Sequence, residues 1–196
     1  MNDKLDIFRI KTNNMSPRKG RILIAEPFLS GSYFNRSVVL LVAYSEKGAV
    51  GFILNKKVEL SVHDVIPDFP EFDAPVYLGG PVSTDSIYFI HKLGEKLPGS
   101  INVLDDLFWG GDFEELKQQI TNGLIDPSDI RFFLGYSGWD AGQLERELKE
   151  DSWLVNNIDE RTVMKEPNPG SWFDSAKKVG RRYSVWENFP ENPALN

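Results

Sequence analysis

The stretch SVVLLVAYSEKGAVGFILN, residues 37–55, limits what this chain can fold into more than any other. Ser37 to Ser45 is a nearly unbroken run of β-branched and aliphatic residues, and Ala49 to Asn55 is a second one. Runs of this length and chemistry fit strands, and Glu46, Lys47 and Gly48 between them supply the short polar turn of a hairpin. The chain is therefore built on a sheet, and the remaining segments are judged by how they extend it. RILIA (Arg21 to Ala25) reads as a buried strand ending at Glu26-Pro27. PVYLGG (75–80), SIYFIHKLG (86–94), Leu107 to Trp109, IRFFLGY (130–136) and SWLVNNI (152–158) carry the same signature.

Helix signals are fewer. Ser61 followed by Asp64 forms a capping pattern for a short helix that Pro67 and Pro70 would stop. Asp112 with Glu115 starts another, with Leu116 and Ile120 on one face and Gly123 suited to its end. Asp140 with Gln143 predicts a third, on which Leu144 and Leu148 share a face and Glu145 can pair with Lys149. Ser171 with Asp174 predicts a fourth, running to Gly180. Seven or eight strands and three or four helices, with the strands clustered early, give an α+β class with a mixed, largely antiparallel sheet. At 196 residues without a fixed-period repeat or a long linker, one domain is expected over 1–196. Within it, residues 1–19 read as an N-terminal arm carrying Leu5, Ile7, Phe8 and Ile10, and 186–196 as an extended C-terminal tail.

Composition excludes some chemistry. A formal charge of −7 works against sequence-independent binding to polyanions, and the absence of cysteine removes disulfides, thiolate catalysis and cysteine zinc sites. The two histidines, His63 and His91, form no metal-ligand spacing, and the acids around Asp105 to Glu115 lack the alternation of a calcium loop, so no metal is expected. No apolar run reaches signal-peptide or membrane-spanning length, so the expected location is the cytoplasm, with no membrane partner.

FLGYSGWDAGQLERELKED, residues 133–151, looks at first like a site. It lacks the Gly-Lys-Ser/Thr ending of a phosphate loop, and its glycines at 135, 138 and 142 miss the dinucleotide spacing. Ser137 sits like an elbow nucleophile, but Trp139 stands where a glycine is needed and no histidine follows. A capped strand-to-helix joint explains the stretch better, with its helix start still able to hold an anion. Arg36 could grip a carboxylate or phosphate, or simply pair with a structural acid; Gly79-Gly80-Pro81 could form an anion nest, or simply a turn. Lys177, Lys178, Arg181 and Arg182 form the main basic cluster, with Arg18, Lys19 and Arg21 second. Position near a helix end accounts for the first, and no helix-turn-helix accompanies either.

Together, GRILIAEPFL, FNRSVVLLVAYSEKGAVGFILNK, VYLGGPV and FLGYSGWDAGQLERELKEDSWL resemble the signature blocks of the AlgH/YqgE family, in the family's order, over roughly residues 20 to 155. The matching positions are Arg36, Ser37, Gly51, Asn55, Gly79, Gly80, Pro81, Gly135, Tyr136, Gly138, Trp139, Gly142, Gln143 and Glu145; family members often carry alanine at position 137. The resemblance implies a bacterial cytoplasmic protein whose bifurcated sheet wraps into a small barrel flanked by helices. It also implies a transcriptional-regulator label, and it supplies no catalytic residue and no cofactor. The expectation is a non-enzymatic binding or regulatory protein that acts through a protein or small-molecule partner rather than by direct nucleic-acid binding. Its polar loops would bring Arg36, Asn55, Gly79, Gly80, Tyr136, Trp139 and Gln143 to one ligand pocket. The alternative is an enzyme or sensor for a phosphorylated or nucleotide-like ligand, using Arg36 and the helix start at Asp140.

Overall fold

The computed structural model describes residues 15–29 and 31–189. The arm's apolar residues Leu5 to Ile10 and the tail from 190 onward lie outside the described residues. Nine strands form the sheet: β1 (Arg21–Ala25), β2 (Val38–Ser45), β3 (Gly48–Ile53), β4 (Val76–Leu78), β5 (Val82–His91), β6 (Ile101–Leu104), β7 (Leu107–Trp109), β8 (Ile130–Asp140) and β9 (Trp153–Asn157). Among the described residues five α-helices accompany them: α1 (Val62–Val65), α2 (Phe113–Thr121), α3 (Gln143–Lys149), α4 (Glu160–Met164) and α5 (Ser171–Val179).

The expected hairpin is present as β2–β3, turning over Glu46 and Lys47, with Ser45 opposite Gly48. The strand order is β6-β7-β5-β8-β3-β2-β1-β9, and β4 branches off by pairing parallel to β8. The sheet is thus α+β, mixed and mainly antiparallel, and it forks. It does not close: β6 and β9 stand at opposite ends of the path, so the small barrel implied by the resemblance is corrected to an open sheet.

The fork lies in β8. Its first half pairs with β5 and β4, and Ser137 to Asp140 pair with β3. Gly79 and Gly80 cross it at very short range: a Cβ on Gly79 would stand 2.1 Å from the Gly135 carbonyl oxygen, and one on Gly80 2.3 Å from the Tyr136 backbone. The Gly79 amide donates to Leu134 O (2.7 Å), while its carbonyl accepts from the Ile53 amide (3.0 Å). The glycines seal two branches of sheet together; a side chain there would force them apart.

The continuous apolar runs follow from burial on both faces, since successive side chains alternate across a strand. Ile22, Ile24, Val38 and Leu40 pack toward Trp172 and Ala176 of α5, while Leu23, Ala25, Val39 and Leu41 pack toward Leu144 of α3. A third cluster joins Leu116 and Ile120 of α2 to Phe89, Ile130 and Phe132.

Two local expectations change. Asp140 ends β8 rather than capping α3, which starts after Gly142 (φ 73°); the Asp140 amide nevertheless donates to Gln143 Oε1 at 3.0 Å, half of the expected reciprocal pair. Trp186 does not begin an extended tail. Arg181–Asn188 forms a 3-10 helix that buries Tyr183 and Trp186.

Candidate functional site

Ile130, Arg131 and Phe132 open β8, and the two apolar neighbours face the α2 cluster. Alternation sends Arg131 to the opposite face, which is also covered, so the guanidinium is buried at 2% exposure. Its Cζ lies 3.8 Å from the centre of the Tyr77 ring. One terminal nitrogen donates to the Val163 carbonyl of α4 and the other to the Leu54 carbonyl at 2.7 Å; Nε has no hydrogen-bond partner. Among the described residues no carboxylate forms an ion pair with it. Loss of water pushes its pKa down to about 10, so the group remains a cation at neutral pH.

Arg131 lines a pocket of about 190 Å³. Val38, Leu54 and Asn55 form the strand side; α4, α5 and the segment between them close the other, presenting Thr162, Lys165, Glu166, Ser171, Ser175 and Lys178. Glu166 is held at the rim by Lys57 (2.7 Å). Ser171 Oγ accepts from the Asn168 amide (2.8 Å), and Ser175 donates to Ser171 O (2.7 Å).

The seven residues singled out in the sequence fall in three places. Asn55 lines this pocket; its side chain bridges the Val38 amide (2.8 Å) and the Arg36 carbonyl (2.9 Å), closing the open end of the β2–β3 hairpin. Arg36, at φ 50°, adjoins it, stacks 5.0 Å over the Trp172 ring and donates to the Phe189 carbonyl. Gly79, Gly80 and Tyr136 lie at the fork, with Tyr136 edge-on to Tyr88 at 5.4 Å. Trp139 and Gln143 belong to a cluster around Glu147, whose carboxylate accepts from Trp139 Nε1 (2.8 Å), Trp153 Nε1 (2.7 Å) and Gln143 Nε2 (2.8 Å). Beside it, Tyr44 donates to Glu145 at 2.5 Å, which pushes the phenol up to about 12. That bond takes the place of the expected Glu145–Lys149 pair.

The candidate nucleophile is sealed. Ser137 is fully buried and donates to the Gly79 carbonyl (3.0 Å). His63 Nδ1 bonds the Phe69 carbonyl, and His91 lies under Gly110, so neither faces Ser137. Among the described residues no group of three or more acids and histidines could hold a metal ion. Arg131 and α4 are not among the features the motifs single out. A charge inside the apolar run IRFFLGY was the available signal for the first, and Asp159, which caps α4 by accepting from the Thr162 amide (2.8 Å), for the second.

A family profile described as AlgH-like matches residues 22–184. The chain belongs to the AlgH-like family. It is 45% identical over 193 residues to a UPF0301 protein of Parabacteroides distasonis, covering 97% of this chain and 98% of that one. A UPF0301 protein of Bacteroides fragilis is 42% identical over 197 residues, with full coverage of both. The solution structure of AlgH from Pseudomonas aeruginosa has a TM-score of 0.70 at 28% identity, covering 91% of this chain and 98% of that one. A crystal structure of a Corynebacterium diphtheriae protein, 23% identical, shares the fold at a TM-score of 0.72, covering 96% and 100%. The family resemblance seen in the signature blocks is thus established for nearly the whole chain.

Proposed function

We propose that this AlgH-like protein is a non-enzymatic, cytoplasmic binding protein of regulatory type. It takes a small ligand in the pocket beside Asn55 and conveys its state to a protein partner rather than reading DNA itself. The observation that carries this reading is the preformed pocket, where a buried strand-borne cation meets the polar faces of α4 and α5. Arg36 and Asn55 support the pocket by fixing the hairpin end and seating Trp172 of α5. A ligand touching α5 would therefore bias the C-terminal segment that stacks on it, a route from occupancy to an outer surface.

Direct DNA binding has little in its favour. α2 is followed by a 3-10 turn at Pro127–Asp129 and then by β8, not by a second helix. The basic cluster is also dispersed: Lys177 lies over the Phe173 ring, Lys178 lines the pocket, and Arg182 donates to the Tyr183 hydroxyl (2.6 Å). The groups an enzyme would draw on are engaged elsewhere, Arg36 with Trp172 and Phe189, Gln143 with Asp140 and Glu147. Among the described residues no helix is long and apolar enough to cross a membrane.

Thermal unfolding against fractionated bacterial metabolites tests the proposal. A ligand at a hundred times its dissociation constant adds roughly 2.7 kcal/mol, and the shift should vanish in Ser175→Phe, which fills the pocket. Catalytic turnover of a metabolite by substoichiometric protein would instead establish the enzyme alternative.

A further inference from the structure

Resting on the reading of this pocket as a ligand site, we infer that its ligand is a small phosphate-type oxyanion, with Arg131 as the buried counter-charge. A guanidinium removed from water and met by neutral carbonyls and aromatic faces lacks a full counter-charge, and such a cation is normally paired. Arg131 is in that position: two carbonyls take its terminal nitrogens, Nε has no partner, and no acid among the described residues forms an ion pair with it. Stapling β8 to α4 and to the hairpin end explains the two carbonyl bonds. It does not explain why the side chain lines an open pocket as a charged group.

The rest of the lining balances, two lysines against two acids, so the net positive charge of the pocket is that of Arg131. Arg131, Lys165 and Lys178 face two carboxylates, Glu166 and Asp174, in a chain whose net charge is −7. Lys57 holds Glu166 at 2.7 Å, and Glu166 acts on Arg131 through space without forming an ion pair with it. No side chain caps the first turn of α5, which follows Gly170 and contributes Ser171 to the wall, and Asp174 in that turn offsets its positive end. The Ser171 hydroxyl accepts from Asn168 and has no acceptor for its own proton among the described residues. The buried guanidinium, with its unpartnered Nε, and the Ser171 hydroxyl together suit tetrahedral oxyanions, which take several donors at once.

Size narrows the class. About 190 Å³ is below the roughly 300–1,000 Å³ of sites for drug-sized ligands. That admits inorganic phosphate or a monoester with a few carbon atoms; a whole nucleotide needs the several hundred Å³ typical of larger ligand sites.

Titrating the ¹⁵N-labelled full chain with sodium phosphate and with methyl phosphate, against sodium chloride at matched ionic strength, tests the inference. Both phosphates should shift the amides of Asn55, Thr162, Ser171 and Ser175 saturably, while chloride does not and acetate binds about tenfold more weakly. If methyl phosphate binds more tightly than phosphate, the occupant is an ester; the reverse order indicates the free ion. Two exposed rim variants carry the test without touching the buried arginine. Glu166→Gln should tighten phosphate about fivefold and Lys178→Met weaken it about fivefold. Arg131→Met should abolish binding, provided its spectrum shows a folded chain. Absence of saturable shifts with either phosphate, or unchanged affinity in both rim variants, overturns the oxyanion class. If neutral metabolites then move the same amides, the pocket remains a ligand site; if nothing moves them, the functional reading fails as well.

Discussion

Two residues at the inner end of β5 and β8 show how one side chain sets the behaviour of its surroundings. Arg131 holds its charge in a dry place because its neighbours supply carbonyls and an aromatic face. His91 does the opposite and gives up its charge. It is fully buried, its Nδ1 accepts from the Leu93 amide (3.1 Å), and its Nε2 donates to the Gly110 carbonyl (2.9 Å), with Ser100 Oγ 3.1 Å away. That arrangement fits the neutral ring; a second proton would set Nδ1–H against the Leu93 N–H. Burial lowers its pKa from the ordinary 6.5, so the folded state binds this proton less well than the unfolded one. Stability is then complete above about pH 6.5 and falls as pH drops below it, by at most about 1.4 kcal/mol per unit, until the lowered folded pKa is reached. Urea unfolding at pH 7 and pH 5 checks this: the wild type should lose more stability between the two than His91→Gln, which keeps a donor and an acceptor but does not titrate. Neither role was legible in the sequence, where Arg131 and His91 are single polar letters in apolar strands. The carbonyls that meet Arg131 come from segments far away in the chain, and the groups around His91 from the turn and hairpin that follow it.

At the scale of elements, the fork in β8 is the unusual feature. Gly79 and Gly80 pass so close to Gly135 and Tyr136 that a single methyl group collides with backbone. Backbone cannot move aside as a flexible side chain can, so Gly79→Ala should cost about 3 kcal/mol or more. Asp112→Ala, which removes the cap that accepts from the Glu114 and Glu115 amides, should cost only about 1 kcal/mol. Equilibrium denaturation of both variants gives the comparison, and similar losses would contradict the account of the crossing. The β2–β3 hairpin and the starts of α1 and α2 could be placed from sequence because their signals are local: an apolar run, a turn, a capping side chain; α5 starts one residue earlier than a Ser171 cap would give, with Gly170 at the cap and no side-chain bond there. The missed β6 is short, and two of its four residues, Ile101 and Asn102, are exposed, so it carries little apolar pattern. The start of α3 was placed too early because Asp140 has the chemistry of a cap, while its backbone is committed to pairing with Gly48.

In the molecule as a whole, α5 and the 3-10 helix after it cover one face of the sheet. Trp172 stacks on Trp186 (5.5 Å, 9° between planes), Tyr183 meets Trp186 edge-on, and the Trp172 indole donates to the Ala25 carbonyl (2.8 Å). Trp186→Ala should therefore destabilise by about 3–5 kcal/mol and raise amide exchange in α5, as measured by denaturation and hydrogen exchange. If this segment were instead a solvated tail, the substitution would be nearly silent.

The sequence by itself determined the family, the α+β class, the hairpin and most helix starts, because these rest on patterns within a few residues or on blocks held in a fixed order. Only the tertiary structure decided that the sheet stays open, that Gly79 and Gly80 join its branches, and that the proposed ligand residues lie in three places. The same holds for the positive pocket. Its charge comes from Arg131 on β8 and its walls from the hairpin end on one side and α4 and α5 on the other, all distant from Arg131 along the chain. No local pattern encodes a cation whose balance of water, carbonyls and counter-charge is fixed only when those segments meet.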